Sequence, residues 1–522
     1  MNSTRPPVLV VGAGPAGLVA ALTLLQNGIP VRIIDKDLNP RMGQHGAGPG
    51  IWPRSFELFN FLNVPEVNDV AKPFPEIRSY KPGTLEFAIE SSIVPLMEPT
   101  PAIPFHAAKL IDQQLLDVIL RRYLEEYSCS VEMGTELCSV EQSNEGVTAV
   151  LAKDGILETS ILSVVRKQLG LTFLGEARDD LRMVMGDIRL KGVDLDRAYW
   201  YRSGNLKRGI SLRPTDEIGE DGWHFSIFGG DLGLTMVAQS EELIFEIIAS
   251  LILTEITFNK LVWVSKVNIR MVNKLSEGRG FVMLLSVYIF DPILAKLILT
   301  YFQCPRSNRW SGLNLGWKLA LLEKGLADKY LLETYNAERL PVVSEMLGMA
   351  TTILNQTLKT GNWTVLRSPI LFMLGINYRF SNIVLDEFAI PGKPINAYGV
   401  LDEEHLEAGD RAPDALNVAQ VGGGESDVKR LCDATLILNT LEVYDESVIP
   451  SAVVLPSSAS VTSVASSANL VLVDQERHAY SAYLVESGQM KMFVIRLDGA
   501  VGAIVHGTEG VKKYFSRIFL GV

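Results

Sequence analysis

The amino-acid sequence predicts an α/β protein of α+β type, in which a parallel βαβ domain is interleaved with a mixed-sheet domain. Three observations predict it. Val8 to Val11 is an apolar β-type run that passes into Gly12-Ala13-Gly14-Pro15-Ala16-Gly17, then a helical segment, Leu18 to Gln26, and a second strand ending at Asp35. Helix-period and strand-period segments alternate through the rest of the chain. At 522 residues the chain exceeds one ordinary core, so two or three domains are expected.

The opening stretch is the strongest element. Gly12 permits the tight turn, and Gly14 lets the backbone approach a pyrophosphate whose charge the helix N-terminus favours. Gly17 lets helix and strand pack closely. Ala13, Pro15 and Ala16 fill the remaining places of the loop, and Gly28 stops the helix. Asp35, with Lys36 beside it, can accept from a ribose hydroxyl. A lone G-x-G-x-x-G is weak; strand, turn, helix, strand and acid in this order specify a Rossmann-like dinucleotide site.

Asn39 to Pro53 is dense in glycine and proline and reads as a loop carrying Arg41 and His45, followed by a helix from Arg54 to Leu62. It is either an ordinary surface loop or one that crosses a bound cofactor. Lys72 to Phe105 has short alternating runs that suggest strands of a mixed sheet. Ala107 to Glu126 is a periodic helix carrying Gln113, and Ser130 to Ala152 a hairpin turning at Asn144-Glu145-Gly146. Trp223 to Phe228 and Thr235 to Val237 read as strands, with a helix from near Ser240. Gly312 to Leu340 holds two helices separated by Gly325; helical spacing resumes from Val342 to Leu358 and around Ile370 to Ile376. Past Ile390, Pro391-Gly392-Lys393-Pro394 and Asp402-Glu403-Glu404 look like a linker. Ala408 to Val522 then has strand-like runs at Ala434 to Leu438, Leu470 to Asp474 and Met492 to Leu497. Ser451 to Ser467 reads as a loop and Gly510 to Phe519 as a final helix.

Composition excludes several classes. Hydrophobic residues make up 47% and charged residues 21%, which is globular, and a net charge of −12 leaves no basic surplus for nucleic acid. The four cysteines (Cys129, Cys138, Cys304, Cys432) lack any C-x-x-C, which fits a reducing, cytoplasmic setting with neither a disulfide framework nor a metal site. Val8 to Leu25 has only Arg5 before it, too little for a signal peptide. Met283 to Phe302 has the length of a membrane span, but Asp291, Pro292 and Lys296 at its centre argue against one.

Taken together, VVGAGPAGLVAALTLLQNGIPVRIID (Val10 to Asp35), GIWPRSFELFNFL (Gly50 to Leu62), SVVRKQLGLTFLGE (Ser163 to Glu176), NIRMV (Asn268 to Val272), EGRGFV (Glu277 to Val282) and NLGWKLALLEKGLADKYLLETYNAERLPV (Asn314 to Val342) resemble the FAD-dependent aromatic hydroxylases, single-component flavoprotein monooxygenases of the phenol and para-hydroxybenzoate hydroxylase type. AGDRAPDA (Ala408 to Ala415) and VIRLDGAVG (Val494 to Gly502) are similar to members with a C-terminal thioredoxin-like domain. The resemblance implies an FAD-binding domain over residues 1–180 and 266–390, a substrate domain over 181–265 with part of 72–106, a linker at 391–407 and a thioredoxin-like domain at 408–522. It implies that Gly12, Gly14, Ala16 and Gly17 hold the FAD pyrophosphate and Asp35 the adenosine ribose. Arg54 and Gln113 fall on the isoalloxazine and ribityl side, and Asn314 is either the asparagine of a cofactor turn or the one opening the next helix. NAD(P)H would reduce the flavin, and O2 would then supply a hydroxyl to an electron-rich carbon of a phenolic or polyketide-like substrate. For a base, His45, Tyr201 and His224 are available. A homodimer is among the oligomeric states left open.

Two family motifs are altered. Before Ser163-Val164-Val165-Arg166, Thr159-Ser160 stand where Asp-Gly is expected, as though a strand were deleted. After Gly278-Arg279-Gly280-Phe281-Val282 the aspartate and glycine turn that hold the ribityl chain are replaced by Met283 to Arg309. The alternative to an active enzyme is therefore an impaired or mis-spliced relative.

Overall fold

The computed structural model describes residues 8–521 except 41–49, 81–83, 85, 93, 144–145, 154–155, 158–172, 193–194, 206–207, 230–231, 253–254, 276–303, 361–367, 391, 393–394, 423–429, 433–450, 460–467 and 487. Arg41, His45, the Ser163–Arg166 stretch and the Met283 to Phe302 stretch lie outside the described residues.

Strands Val8–Val11, Val31–Ile34 and Val131–Glu132 pair in parallel, in the order first, second, third. The apolar run on the connecting helix, Pro15–Gln26, explains its place: Leu18, Val19 and Leu22 are fully buried against Ile33, Phe56 and Leu120. Helix Cys304–Glu323 lies across it at close range. A side chain in place of Gly312 would meet the Ala16 carbonyl at 2.7 Å, and one at Gly316 would meet Thr23.

The second layer is a seven-stranded mixed sheet, ordered Ile256–Leu275, Phe173–Gly192, Gly222–Phe228, Arg208–Pro214, Tyr199–Asn205, Glu76–Tyr80, Phe87–Ser91. Its one parallel pairing joins Tyr199–Asn205 to Glu76–Tyr80. Side-chain alternation sorts the faces. Val184, Ile188, Tyr201, Ile210, Leu212, Trp223, Phe225 and Ile227 pack with Ile244 and Ile248 of helix Glu241–Ile252. The opposite face carries Asp187, Trp200, Ser211, Arg213 and His224. There Trp200 and Ile77 join Trp52, Ile103, Val342 and Met346 in a separate core.

Several local expectations are corrected. Thr235–Val237 is part of a short helix, Leu234–Val237, that starts after Gly233 (φ +55°) and buries Leu234 and Val237, three residues apart, on the sheet. Helix Tyr330–Thr360 runs through Pro341 without ending, held by the buried stripe Val342, Met346, Ala350 and Ile353. The stretch 370–376 is a 3-10 turn, Pro369–Phe372, followed by the strand Gly375–Ile376. Ala452–Pro456, expected in a loop, is a strand parallel to Leu470–Asp474. Ala434 to Leu438 lies outside the described residues.

The described strands beyond residue 408 divide between two three-stranded sheets. One unites Val418–Gln420, Leu470–Asp474 and Ala452–Pro456; the other sets Val501–Val505 between Met492–Ile495 and Leu385–Asp386. Leu385–Asp386 precedes the expected linker, so the C-terminal segment shares a sheet with the preceding body. Within that linker, Tyr398–Gly399 pairs with Gly375–Ile376, and Tyr398 is buried with its N–H on Glu345.

Candidate functional site

The fingerprint loop takes the shape its residues predict. Gly12 has φ +93°, a region that disfavours side chains, and a Cβ on Gly17 would sit 2.0 Å from the Gly12 carbonyl oxygen. Gly14 is the N-cap of the helix, with no side-chain cap, Pro15 at the first position, and nothing within 4 Å of where its Cβ would be. The helix start thus presents unsatisfied N–H groups and positive dipole to open space. Asp35 braces the loop: one carboxylate oxygen accepts from the Ala13 N–H at 2.8 Å and the other from the Asp37 N–H at 3.0 Å. Each oxygen has a further lone pair for a ribose hydroxyl. Lys36 is exposed beside it.

Gln113 opens helix Gln113–Glu125, is buried, and follows the N-cap Asp112, whose carboxylate accepts from the Gln114 N–H. That helix packs against the fingerprint helix, with Leu116 and Leu120 in its core. Arg54 and Asn314 do not present themselves to the loop. The Arg54 guanidinium, buried, donates to Glu57 and to the Gly499 carbonyl, while Arg411 binds Glu57 from the C-terminal side. Asn314 lies inside helix Cys304–Glu323, fully buried, its amide donating to Glu338 and Asp498 at 2.8 Å each. It stands in mid-helix, so it does not open the helix as one of the two sequence placements had it. Glu338 also accepts from Lys318 at 2.7 Å and from both Arg496 terminal nitrogens, and Arg496 pairs with Asp498. Burial pushes the Glu338 carboxyl up, but Arg496 and Lys318 outweigh it and hold it well below the usual range. Burial pulls Lys318 down to about 8 against the attraction of Glu338, so the lysine remains mostly charged at neutral pH.

The sheet face opposite helix Glu241–Ile252 gathers a second polar group. His224 and Asp187, register partners on neighbouring strands, meet through Nδ1 and a carboxylate oxygen at 2.8 Å. His224 is nearly buried and Asp187 fully so. Arg213 is the register partner of His224 on its other side. Asp112 reaches this region from the Gln113 helix. Burial, then a hydrogen bond to Glu217 and the charge of Glu217, push its carboxyl up to about 10, and Asp187 adds to the shift. Tyr201, a candidate base from sequence, points the other way, its hydroxyl between the backbone N–H and carbonyl of Asp196. The sequence reading missed Asp187. Its signal is a carboxylate in mid-strand of MVMGDIRL, out of phase with the buried Val184 and Ile188.

A cavity of about 440 Å³ lies elsewhere, between Leu374–Arg379, the 396–406 stretch and His478–Ala482. It does not touch the fingerprint loop, so it is not the dinucleotide cleft. Among the described residues no helix is long and apolar enough to cross a membrane, and no group of three or more His, Cys, Asp or Glu is placed to hold a metal.

The family described as FAD binding domain matches residues 5–284 and 311–350. The match runs through the altered stretch before Ser163 and omits 285–310, close to the replaced segment read from the sequence. A flavin-dependent monooxygenase of Mycobacteroides abscessus is 28% identical over 429 residues, covering 78% of this chain and 84% of that protein. Pentachlorophenol 4-monooxygenase of Sphingobium chlorophenolicum is 26% identical over 66% of this chain and 64% of its own length, so the chain spans about two-thirds of that enzyme. The fold of aklavinone-11 hydroxylase, solved with FAD and aklavinone, superposes with a TM-score of 0.68 at 20% identity, covering 99% of both chains.

Proposed function

We propose a flavin-dependent aromatic hydroxylation for this chain, which belongs to the FAD binding domain family. It is an FAD-dependent monooxygenase by that descent; the proposal concerns its reductant, its substrate class and the residues involved. NAD(P)H is the reductant, and the substrate is a phenolic or polyketide-like aromatic, as the name of the pentachlorophenol relative suggests. The observation that carries the reading is the open, uncapped helix start in front of Gly14, a cradle that a side chain would fill and a pyrophosphate fits. FAD, when bound, supplies the redox chemistry that transfers one oxygen atom of O2 to the ring.

The chain's own residues bind, orient and exclude water. Gly14, Pro15, Ala16 and Gly17 set the helix dipole against the pyrophosphate, and Asp35 accepts from the ribose while holding the Ala13 N–H. Gln113, at the start of its helix, faces the ribityl side. Arg54 and Asn314 act indirectly, by fixing the helices that carry the loop to the C-terminal segment. The sheet face with Trp200, Arg213 and His224 walls the substrate site, and its apolar core with Trp52 and Met346 keeps bulk water out. Cys129 and Cys138, as free thiols, suit a reducing cytoplasmic setting. An impaired remnant is the less favoured reading, because the family match extends on both sides of the replaced segment.

Purified protein should carry a visible flavin band after incubation with FAD and oxidise NAD(P)H faster when a phenol is present. A colourless protein that takes up no FAD would overturn the proposal.

A further inference from the structure

We infer that the cavity between Leu374–Arg379, the 396–406 stretch and His478–Ala482 is a second binding site, shaped for a small zwitterion: an α-amino acid with an apolar side chain, its carboxylate on Arg411 and its ammonium on Glu403 and Asp402. The inference goes beyond the monooxygenase reading and does not depend on it.

The anchor is Arg411. It is 4% exposed, and two of its three guanidinium nitrogens are committed. Nε donates to both Glu57 oxygens, at 2.7 and 3.0 Å, and Nη2 meets Glu57 and the Ala102 carbonyl, the latter at 2.6 Å. Nη1 has no hydrogen-bond partner among the described residues, yet it is not sealed in protein as the unpartnered Ser55 hydroxyl is. Arg411 borders two spaces. One, beside Asp414 and Tyr483, is about 30 Å³, room for a water molecule and no more. The other is the cavity, about 440 Å³, within the range that encloses small organic ligands. A buried guanidinium with an idle donor favours a carboxylate, which it holds by a charge-assisted hydrogen bond.

The opposite charge stands on the same wall. Asp402 and Glu403 line the cavity, are exposed, and have no cationic partner among the described residues. Asp402 accepts from the Glu404 N–H and Glu403 from the Thr100 hydroxyl at 2.8 Å. Alone they would be a solvated acidic run; one turn joins them to Arg411. The Thr100 hydroxyl on Glu403 and the Ala102 carbonyl on Arg411 both belong to the turn closed by the Ile103 N–H on the Thr100 carbonyl. Two residues of chain keep their Cα atoms about 7 Å apart or less. An α-amino acid with a hydrogen bond at each end spans roughly 8 Å, so one such molecule reaches both charges. Other ionic groups of the wall are already engaged. Arg379 pairs with Asp410 at 2.6 and 2.8 Å, His405 with Glu407 at 2.9 Å, and His478 Nδ1 faces the Leu416 carbonyl at 3.3 Å. Leu374, Ile376, Val400, Leu401 and Leu406 offer apolar surface to a side chain. A simple anion would meet Asp402 and Glu403 unfavourably, and a simple amine would leave the Arg411 donor idle.

The test is isothermal titration calorimetry on the full chain, supplied with FAD, at about millimolar ligand. L-Phenylalanine, L-leucine and L-tryptophan are compared with 3-phenylpropanoate, which lacks the ammonium, and 2-phenylethylamine, which lacks the carboxylate. At least one amino acid should bind at a single site, and for L-phenylalanine each truncated analogue should bind roughly tenfold more weakly or worse. The double variant D402N/E403Q changes two exposed side chains. It should weaken L-phenylalanine by a similar factor while leaving 3-phenylpropanoate as it was or tighter, a split that a merely structural role would not produce. Hydrogen exchange should slow in peptides covering 374–379 and 396–406 when the amino acid binds, and stay unchanged over 8–35. The inference is overturned if no amino acid binds, if either analogue binds as tightly as L-phenylalanine, if D402N/E403Q binds L-phenylalanine as the parent does, or if exchange slows elsewhere and not at the cavity. None of these outcomes touches FAD uptake, so the monooxygenase reading stands or falls separately.

Discussion

The fingerprint corner and the charge knot around Glu338 are built in opposite ways. At the corner, the constraints are backbone geometry over a short span: a positive φ at Gly12, no room for a side chain at Gly17, and a carboxylate 22 residues away on the Ala13 N–H. At the knot, fully buried ions from residues 318, 338, 496 and 498 satisfy one another across as many as 184 residues, counting the Asn314 contact to Asp498. The first region leaves open space before its uncapped helix start. The second holds its own charges by leaving none. The difference teaches that an open helix start leaves donors available, whereas a structural joint pairs its ions with one another.

The comparison is broken most severely at the knot. E338A leaves Lys318 and Arg496 buried without their shared acceptor, and should cost about 3–5 kcal/mol in urea-unfolding stability. A cost under about 1 kcal/mol would mean the knot is not the joint described. The same contacts predict an acid limb. Because the folded Glu338 carboxyl sits below its ordinary 4.5, the stability it contributes is complete above that pH and is lost as pH falls through the folded value. The unfolding midpoint of the parent should drop there, and E338Q should flatten that limb.

At the corner, G17V should cost about 1–3 kcal/mol through the clash with the Gly12 carbonyl. It should also release flavin, read as free-FAD fluorescence in the filtrate; a variant that keeps its flavin would show that the close packing is unnecessary. A pH-dependent effect is expected at Asp112. Its carboxyl is raised to about 10, so between 3.8 and 10 the unfolded chain loses a proton that the folded chain keeps, and this group's contribution falls as pH rises. D112N keeps an N-cap and removes that slope. Its stability relative to the parent should therefore improve from pH 5 to pH 8 in urea unfolding; a difference that stays constant with pH would show that Asp112 is ionised in the folded chain.

The same contrast explains what the sequence could reveal. The αβ class, the nucleotide corner and the hairpin at 135–153 are local patterns, and spacing alone carries them. The short helix Leu234–Val237 was not separable from a strand, because four apolar-rich residues fit either period until Gly233 and the sheet beneath decide. Asn314 was ambiguous for a different reason. Its meaning depends on Glu338 and Asp498, and no spacing rule links an asparagine to carboxylates 24 and 184 residues ahead. The His224–Asp187 pair is intermediate: cross-strand register makes the contact, and register becomes visible only with the sheet.

The turn Arg496–Gly499 has a consequence for how the chain is made. Glu338 waits for Arg496, 158 residues farther on, and Arg54 waits for the Gly499 carbonyl, 445 residues farther on. At ordinary rates of synthesis the first interval alone is about 8–30 s. During it, a nascent chain carries a carboxylate that it cannot yet bury with its full set of partners. Closure of the nucleotide-binding body is thereby timed to the arrival of a four-residue turn, and a chain cut short of that turn exposes its own incompleteness to the cell.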